Sequence, residues 1–224
     1  MLLIGLTGGP GSGKSTAAEF FRELGAYVTS SDETARRLMQ PGESVYAEIV
    51  HAFGNSVVSP DGTLDRTALG RLAFSEGRLQ ELEHLVHPAV LAAEKAWVDT
   101  LPARAVGLVE AAIFFERLLP PETDRSSPSP ELMRSVSRQV HQRFQRVVLV
   151  TAPEEQKIER FVQRALASQD APSESAARAD ALRRLALQIP DTIKAPYCDD
   201  ILPNDSTPEA LRWCVHTLWQ GFQT

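Results

Sequence analysis

Gly8-Gly9-Pro10-Gly11-Ser12-Gly13-Lys14-Ser15 lies between an apolar start, Leu2-Leu3-Ile4, and Thr16-Ala17-Ala18-Glu19-Phe20-Phe21. Gly8 and Gly13-Lys14-Ser15 complete the G-x-x-x-x-G-K-[ST] pattern, with an apolar strand before it and a helix start after it. Each residue type answers a physical need. Glycines let the backbone approach phosphates without a Cβ clash, so that consecutive N–H groups and the helix N-terminus point at the anion. Lys14 adds a point charge for the outer phosphates, and the Ser15 hydroxyl is placed to ligate Mg²⁺. A glycine-rich turn that merely contains a lysine is the alternative; the flanking strand, the helix start and a second hydroxyl at Thr16 weigh against it.

Working outward, Ala17, Phe20, Phe21 and Leu24 recur at helical spacing before Gly25, and Ala26-Tyr27-Val28-Thr29 reads as a second strand. At its end comes Ser30-Ser31-Asp32-Glu33-Thr34-Ala35-Arg36-Arg37, an acid and a basic pair where open α/β sheets hold ligands. Asp32 suits either an N-cap or an acid near a transferred phosphate. From Pro41 to about Leu101 the chain turns helical, with the look of an insertion: a helix over Glu43 to Phe53 closed by Gly54, a turn at Ser59-Pro60-Asp61-Gly62, and a helix capped by Asp65 that carries Leu69, Leu72 and Phe74. Leu79, Leu82, Leu85 and Val86 form a further apolar face, and His87-Pro88 predicts a break between two helices. His84 and His87 have helical spacing, but no acid or thiol cluster joins them into a zinc set.

Ala105 to Glu116 is a near-continuous apolar run, as in a buried parallel strand. No Asp closes it; Glu110 is either a stand-in for such an acid or a strand-end charge. Leu119 to Glu131 is proline-rich and polar, and is expected to be mobile. A helix from Met133 to Phe144, a strand at Arg146-Val147-Val148-Leu149-Val150 and a helix start at Pro153-Glu154-Glu155 follow. The next two helices carry Arg160 and Arg164, then Arg178, Arg183 and Arg184, separated by the loop-like Ser168 to Ser175. Arginines gathered in one arm suit a lid that closes over a phosphoryl group; the plainer reading is a solvated face paired with Glu155, Glu159 and Asp180. Asp199-Asp200-Ile201-Leu202 is a fifth strand, Pro203-Asn204-Asp205-Ser206 a turn, and Leu211, Val215, Leu218, Trp219 and Phe222 make the apolar stripe of a covering helix.

The 224 residues suffice for a large core. A net charge of -6 argues against a nucleic-acid binder held by general electrostatics. Cys198 and Cys214 form no metal-type spacing and imply no disulfide framework. With no basic-apolar leader and no apolar run of membrane-spanning length, a cytoplasmic protein without membrane or nucleic-acid partners is expected. The expected fold is α/β: a P-loop three-layer core with a five-stranded parallel sheet over 1–38, 102–155 and 196–224, a helical acceptor-binding insertion over 39–101 and a helical lid over 156–195.

Taken together the motifs resemble the dephospho-CoA kinase family along nearly the whole chain. Leu6-Thr7-Gly8-Gly9 leading to Gly11-Ser12-Gly13-Lys14-Ser15-Thr16 is similar to its opening, and Asp32 with Ala35-Arg36 to its D-x-x-A-R segment. Asp61-Gly62-Thr63-Leu64-Asp65-Arg66, His87-Pro88, Phe115-Glu116, Gln156 with Arg160 and Arg164, Arg184 with Gln188, and Asn204 follow in the expected order. The resemblance implies transfer of the ATP γ-phosphate to the ribose 3′-hydroxyl of dephospho-CoA, with ATP and Mg²⁺ as cofactors. It implies Asp32, Lys14 and Arg164 as catalytic residues and Ser15 as the metal ligand. Gly8, Gly9, Gly11, Ser12, Gly13, Lys14, Ser15, Thr16, Arg160 and Asn204 would bind ATP, with Asn204 near adenine, and Arg36, His87 and Glu116 would bind the acceptor. Departures are Ser30 where many relatives have an acid, Ala112 in place of a proline, Pro203 before Asn204 where an Asp is common, and longer segments after Glu116 and from Ala165 to Ala181. The competing readings are another P-loop small-molecule or nucleoside monophosphate kinase and a non-kinase nucleotide switch. Against a guanine-selecting switch, no Asn-Lys-x-Asp segment occurs.

Overall fold

In the computed structural model the described residues are 1–75, 77–168 and 173–223, and the side chains of residues 66, 74 and 75 are also outside the description. The expected core residue Phe74, the Arg66 side chain of the 61–66 segment, and 169–172 of the expected lid loop thus lie outside the described residues. The chain divides into two compact units, Met1–Val28 with Pro102–Thr224, and Thr29–Leu101.

In chain order, β1 (Leu2–Thr7) leads through the glycine loop into α1 (Lys14–Glu23), followed by β2 (Tyr27–Ser30). Then come the helices α2 (Ser31–Leu38), α3 (Ser44–Phe53), α4 (Arg66–Ser75) and α5 (Leu79–Asp99). The chain continues as β3 (Val106–Glu110), α6 (Pro130–Arg143), β4 (Arg146–Thr151), α7 (Glu154–Ala167), α8 (Glu174–Ala186), α9 (Asp191–Lys194), β5 (Asp200–Pro203) and α10 (Pro208–Phe222). Among the described residues the strands form one sheet in the order β2-β3-β1-β4-β5, and β1 pairs in parallel with both β3 and β4, as β4 does with β5. This is the expected P-loop core.

Strand parity explains why the strands read as unbroken apolar runs. Ile4, Leu6, Val106, Leu108, Val148, Val150 and Leu202 share one cluster with Phe20 and Phe21 of α1 and Leu211 and Val215 of α10. The alternate residues serve the other face: a Cβ on Gly5 would come within 2.9 Å of the Phe144 ring, which itself packs 4.8 Å from Phe114. With helices on both faces, both parities must be apolar.

Two expectations are corrected. The run from Ala105 to Glu116 is strand only over Val106–Glu110; Ala111 and Phe115 are buried in the following loop, and Glu116–Leu118 is a 3₁₀ turn. There the apolar letters record burial, not extension. The break at His87-Pro88 does not occur, because α5 runs through Pro88 without interruption. An internal proline costs roughly 3 kcal/mol, but Leu82, Leu85, Val86, Ala89, Val90 and Ala93, on both sides of it, enter one core with Leu38, Val45, Ile49 and Phe53. Burying each large side chain returns about 1.5–3 kcal/mol, so a continuous helix is favoured. Within the proline-rich stretch, Asp124 Oδ1 accepts from the Ser126 N–H and hydroxyl at 2.9 and 2.7 Å. Arg125 Nη1 donates to the Leu187 carbonyl at 2.8 Å.

Leu38, with Ala35 and Met39, packs in the same core as α3 and α5. The compact unit Thr29–Leu101 includes α2. Its turns follow their local chemistry: Gly54 closes α3 at φ +80, and Asp65 Oδ1 caps α4 by accepting from the Thr67 and Ala68 N–H groups at 2.9 and 3.0 Å. Among the described residues no helix is long and apolar enough to cross a membrane.

Candidate active site

The phosphate loop is braced by backbone and side chains brought from far along the chain. Gly13 has φ +93 and a Cβ there would stand 2.1 Å from Asn204 Nδ2. Gly11 has φ +76 and a Cβ would stand 2.1 Å from the Lys157 carbonyl oxygen of α7. At these positions only glycine permits both the conformation and the approach. Asn204, 8% exposed, donates its amide to the Ser12 carbonyl at 2.8 Å. Its backbone N–H donates to Thr151 O at 2.8 Å, and its own carbonyl accepts from Arg160 Nη1 at 3.0 Å. Asn204 was expected beside adenine; its side chain holds the loop, and with Gly13, Thr16, Arg160, Ser206 and Pro208 it lines a shallow recess next to α1.

Lys14 is nearly buried, its Nζ donating to the Gly9 carbonyl at 3.3 Å. The Thr7 and Ser12 hydroxyls are fully buried, and neither has a hydrogen-bond partner among the described residues. Buried polar groups normally have partners, so orphaned hydroxyls at a phosphate loop suit a polar ligand. Ser15 and Thr16 are exposed on the first turn of α1.

Ser15 Oγ donates to Glu110 Oε1 at 2.8 Å. The pairing follows from register: Leu6, just before the loop, is aligned with Glu110 at the end of β3. Two oxygen donors at the mouth of a phosphate loop fit Mg²⁺, which takes one or two protein groups and completes its shell with phosphate and water. No cluster of three or more His, Cys, Asp or Glu side chains placed to hold a metal ion occurs among the described residues. Sequence reasoning had left Glu110 open; the signal was an acid ending an apolar strand.

Helices α7 and α8 form an arm with its own small core of Ile158, Phe161, Val162, Ala165, Ala177 and Ala181. Its arginines are not equivalent. Arg178 binds Glu155 through both carboxylate oxygens at 2.7 and 3.0 Å, Arg184 binds Asp180 at 2.9 Å, and Arg183 also pairs with Asp180. Burial pushes the Asp180 carboxyl up, but the two arginines outweigh it and hold it below the usual aspartate value. Arg160 is engaged with Asn204 O and with Gln156. Arg164 is exposed and lies 5.6 Å over the Phe161 ring, with no acid or side-chain hydrogen-bond partner among the described residues.

Glu116 is enclosed. Its Oε1 accepts from Lys194 Nζ and the Ile189 N–H, both at 3.1 Å, and the pair is 0% and 2% exposed. That carboxylate is committed to the interior at the base of the arm. A second ion pair joins buried Lys157 to the partly buried Asp191, on the same short helix as Lys194. In the helical unit, Asp32 and Arg36 are exposed on α2 and His87 is half-buried on α5. The N-cap of α2 is Ser30, whose hydroxyl accepts from the Glu33 N–H, so Asp32 is not spent on capping.

The family model described as "CoaE: Dephospho-CoA kinase" matches residues 2–125, more than half of the chain. The chain belongs to the dephospho-CoA kinase family. A dephospho-CoA kinase of Leifsonia xyli is 34% identical over 224 residues, covering 100% of both chains. One of Moorella thermoacetica is 31% identical, covering 100% of this chain and 93% of its own. Among solved structures, TT1252 from Thermus thermophilus superimposes with a TM-score of 0.72 at 28% identity, covering 98% of this chain and 97% of its own. For a dephospho-CoA kinase family member, the residues that sequence reasoning missed share one property. Lys157 and Asp191 meet across segments distant in sequence, a contact that no local motif announces.

Proposed function

We infer that the protein transfers the γ-phosphate of ATP to the ribose 3′-hydroxyl of dephospho-CoA, giving CoA and ADP. The observation that carries this reading is a braced phosphate loop with orphaned buried hydroxyls in a chain that matches dephospho-CoA kinases over its whole length. The loop N–H groups and Lys14 hold the phosphates. Asp32, exposed and free of capping duty, accepts the proton of the attacking 3′-hydroxyl or orients it, as the new O–P bond forms and ADP leaves with its oxygen. Arg164, with its guanidinium uncommitted among the described residues, compensates charge on the phosphoryl oxygens. When bound, Mg²⁺ supplies charge neutralisation at the phosphates; Ser15 would hold it, with Glu110 beside it.

The recess beside Gly13 is suited to adenine, with Arg160 at its wall. Arg36 and His87 are the acceptor-side candidates, while Glu116 supports the site from within by holding the Ile189 amide. Residues 39–101 serve as the acceptor subdomain and 156–195 as a lid that excludes water during transfer. The cytoplasm is the proposed location, in keeping with the free thiols of Cys198 and Cys214. The test is ADP release with dephospho-CoA, adenosine, AMP, shikimate or no acceptor. Stimulation by dephospho-CoA alone is expected; equal ATP hydrolysis without acceptor would favour a switch, and a response to another acceptor a different small-molecule kinase.

A further inference from the structure

Glu94 lies on α5, is 2% exposed, and is flanked by Val90 and Ala93 in the apolar seam between α5 and α2. The Ser31 hydroxyl donates to its Oε1 at 2.5 Å, the short range of a hydroxyl bonded to a carboxylate. Burying a carboxylate is costly unless hydrogen bonds satisfy it, and the Ser31 hydroxyl is one such partner. The location of Glu94 suggests what it does. Ser31 is the first residue of α2, where a negative charge meets the positive end of the helix dipole. Ser31, Ala35 and Leu38 fall on one helical face, and Ala35 and Leu38 pack into the core that includes α5. Asp32 and Arg36, one residue further round by about 100°, are exposed.

Apolar contacts alone let a short helix roll in its seat, and the Ser30 cap on the Glu33 N–H is long, at 3.4 Å. The Ser31–Glu94 bond adds a directional constraint at the end of α2 that carries the acid. We propose that Glu94 is a positioning residue for phosphoryl transfer: through the Ser31 hydroxyl it sets the rotation of α2, and so the direction in which Asp32 is presented. This rests on the reading of Asp32 as the group that receives or orients the acceptor proton.

The experiment compares kcat, KM for ATP, ADP affinity and melting temperature in Glu94→Leu, Glu94→Gln, Ser31→Ala and Ser31→Thr, each alone, and in Glu94→Leu combined with Asp32→Asn. Glu94→Leu and Ser31→Ala should lower kcat about 10-fold or more, as small misplacements of reacting groups do. ADP affinity and KM for ATP should stay within about twofold in each variant that folds, with the melting temperature reading the stability cost of the lost bond separately. Glu94→Gln keeps an acceptor and Ser31→Thr keeps the hydroxyl, so both should retain most of kcat. In the Asp32→Asn background Glu94→Leu should cost nothing more, because the two act as one unit. Wild-type kcat in Glu94→Leu beside an inactive Asp32→Asn would overturn the positioning role alone, as would a full additional loss in the combined variant. Normal turnover in Asp32→Asn would overturn the reading of Asp32 and this proposal with it. Should Glu94→Leu fail to fold, Ser31→Ala alone and combined with Asp32→Asn gives the same comparison.

Discussion

The phosphate loop and the α7–α8 arm both present positive groups, but they are held by opposite means. In the loop, charge and dipole are fixed by backbone: Gly11 lies against the Lys157 carbonyl, Gly13 against Asn204, and the Asn204 amide closes on Ser12. In the arm, Arg178, Arg183 and Arg184 are spent on Glu155 and Asp180, and the two helices keep a small core of their own. The loop is thus preorganised for its anion before the anion arrives. Much of the arm's charge maintains the arm, whereas Arg164, over the Phe161 ring, has no acid partner among the described residues.

That contrast can be broken at its strongest point first. Gly11→Ala meets a backbone oxygen at 2.1 Å with φ +76, so loop or helix must move. A positive φ alone costs an alanine roughly 1–2 kcal/mol, and with the displaced contact nucleotide affinity should fall by about 30-fold or more; titration calorimetry with ADP reads it, and an unchanged Kd would show the loop to be pliant.

Next, Arg164→Ala should lower turnover by about 100-fold, on the scale of removing one charge-stabilising donor, with ATP affinity within about threefold. Arg178→Ala, whose charge is already spent on Glu155, should stay within about threefold in both. Equal losses in the two variants would erase the distinction drawn between them.

The smallest effect concerns Asp180. Its folded pKa is depressed, so its contribution is present above the unfolded aspartate value and is lost as pH falls through the folded one. The melting-temperature difference between the parent and Asp180→Asn should therefore be small at pH 7 and shrink toward pH 3; a difference that grew with acid would contradict the pairing. Cys198 offers a control: burial pushes its thiol up to about 12, and it should react slowly with thiol reagents at pH 8.

Much of the site was legible because its requirements are local. A strand, glycines at left-handed positions, a lysine and a hydroxyl at a helix start are consecutive residues, and Asp65 and Gly54 cap helices by contacts within a few positions. Part of the arm's pairing was also visible, since Asp180 lies three and four residues before Arg183 and Arg184, whereas Glu155 meets Arg178 only across the two helices. What stayed hidden needed partners far away in the chain. Glu94 reads as an ordinary polar helix residue until α2 packs over it, and Asn204 reads as a turn residue until β5 sets it beside Ser12.

The amino-acid sequence by itself determined the phosphate loop, the parallel-sheet class and the family, because backbone conformation and apolar periodicity are written in neighbouring residues. Tertiary structure alone decided that Pro88 is carried inside a continuous helix, that Glu110 meets Ser15, that Glu116 is buried against Lys194, and that Glu94 reaches the start of α2. Each of these depends on free energy gained by burying surfaces supplied by separate segments, a quantity that exists only once those segments have met.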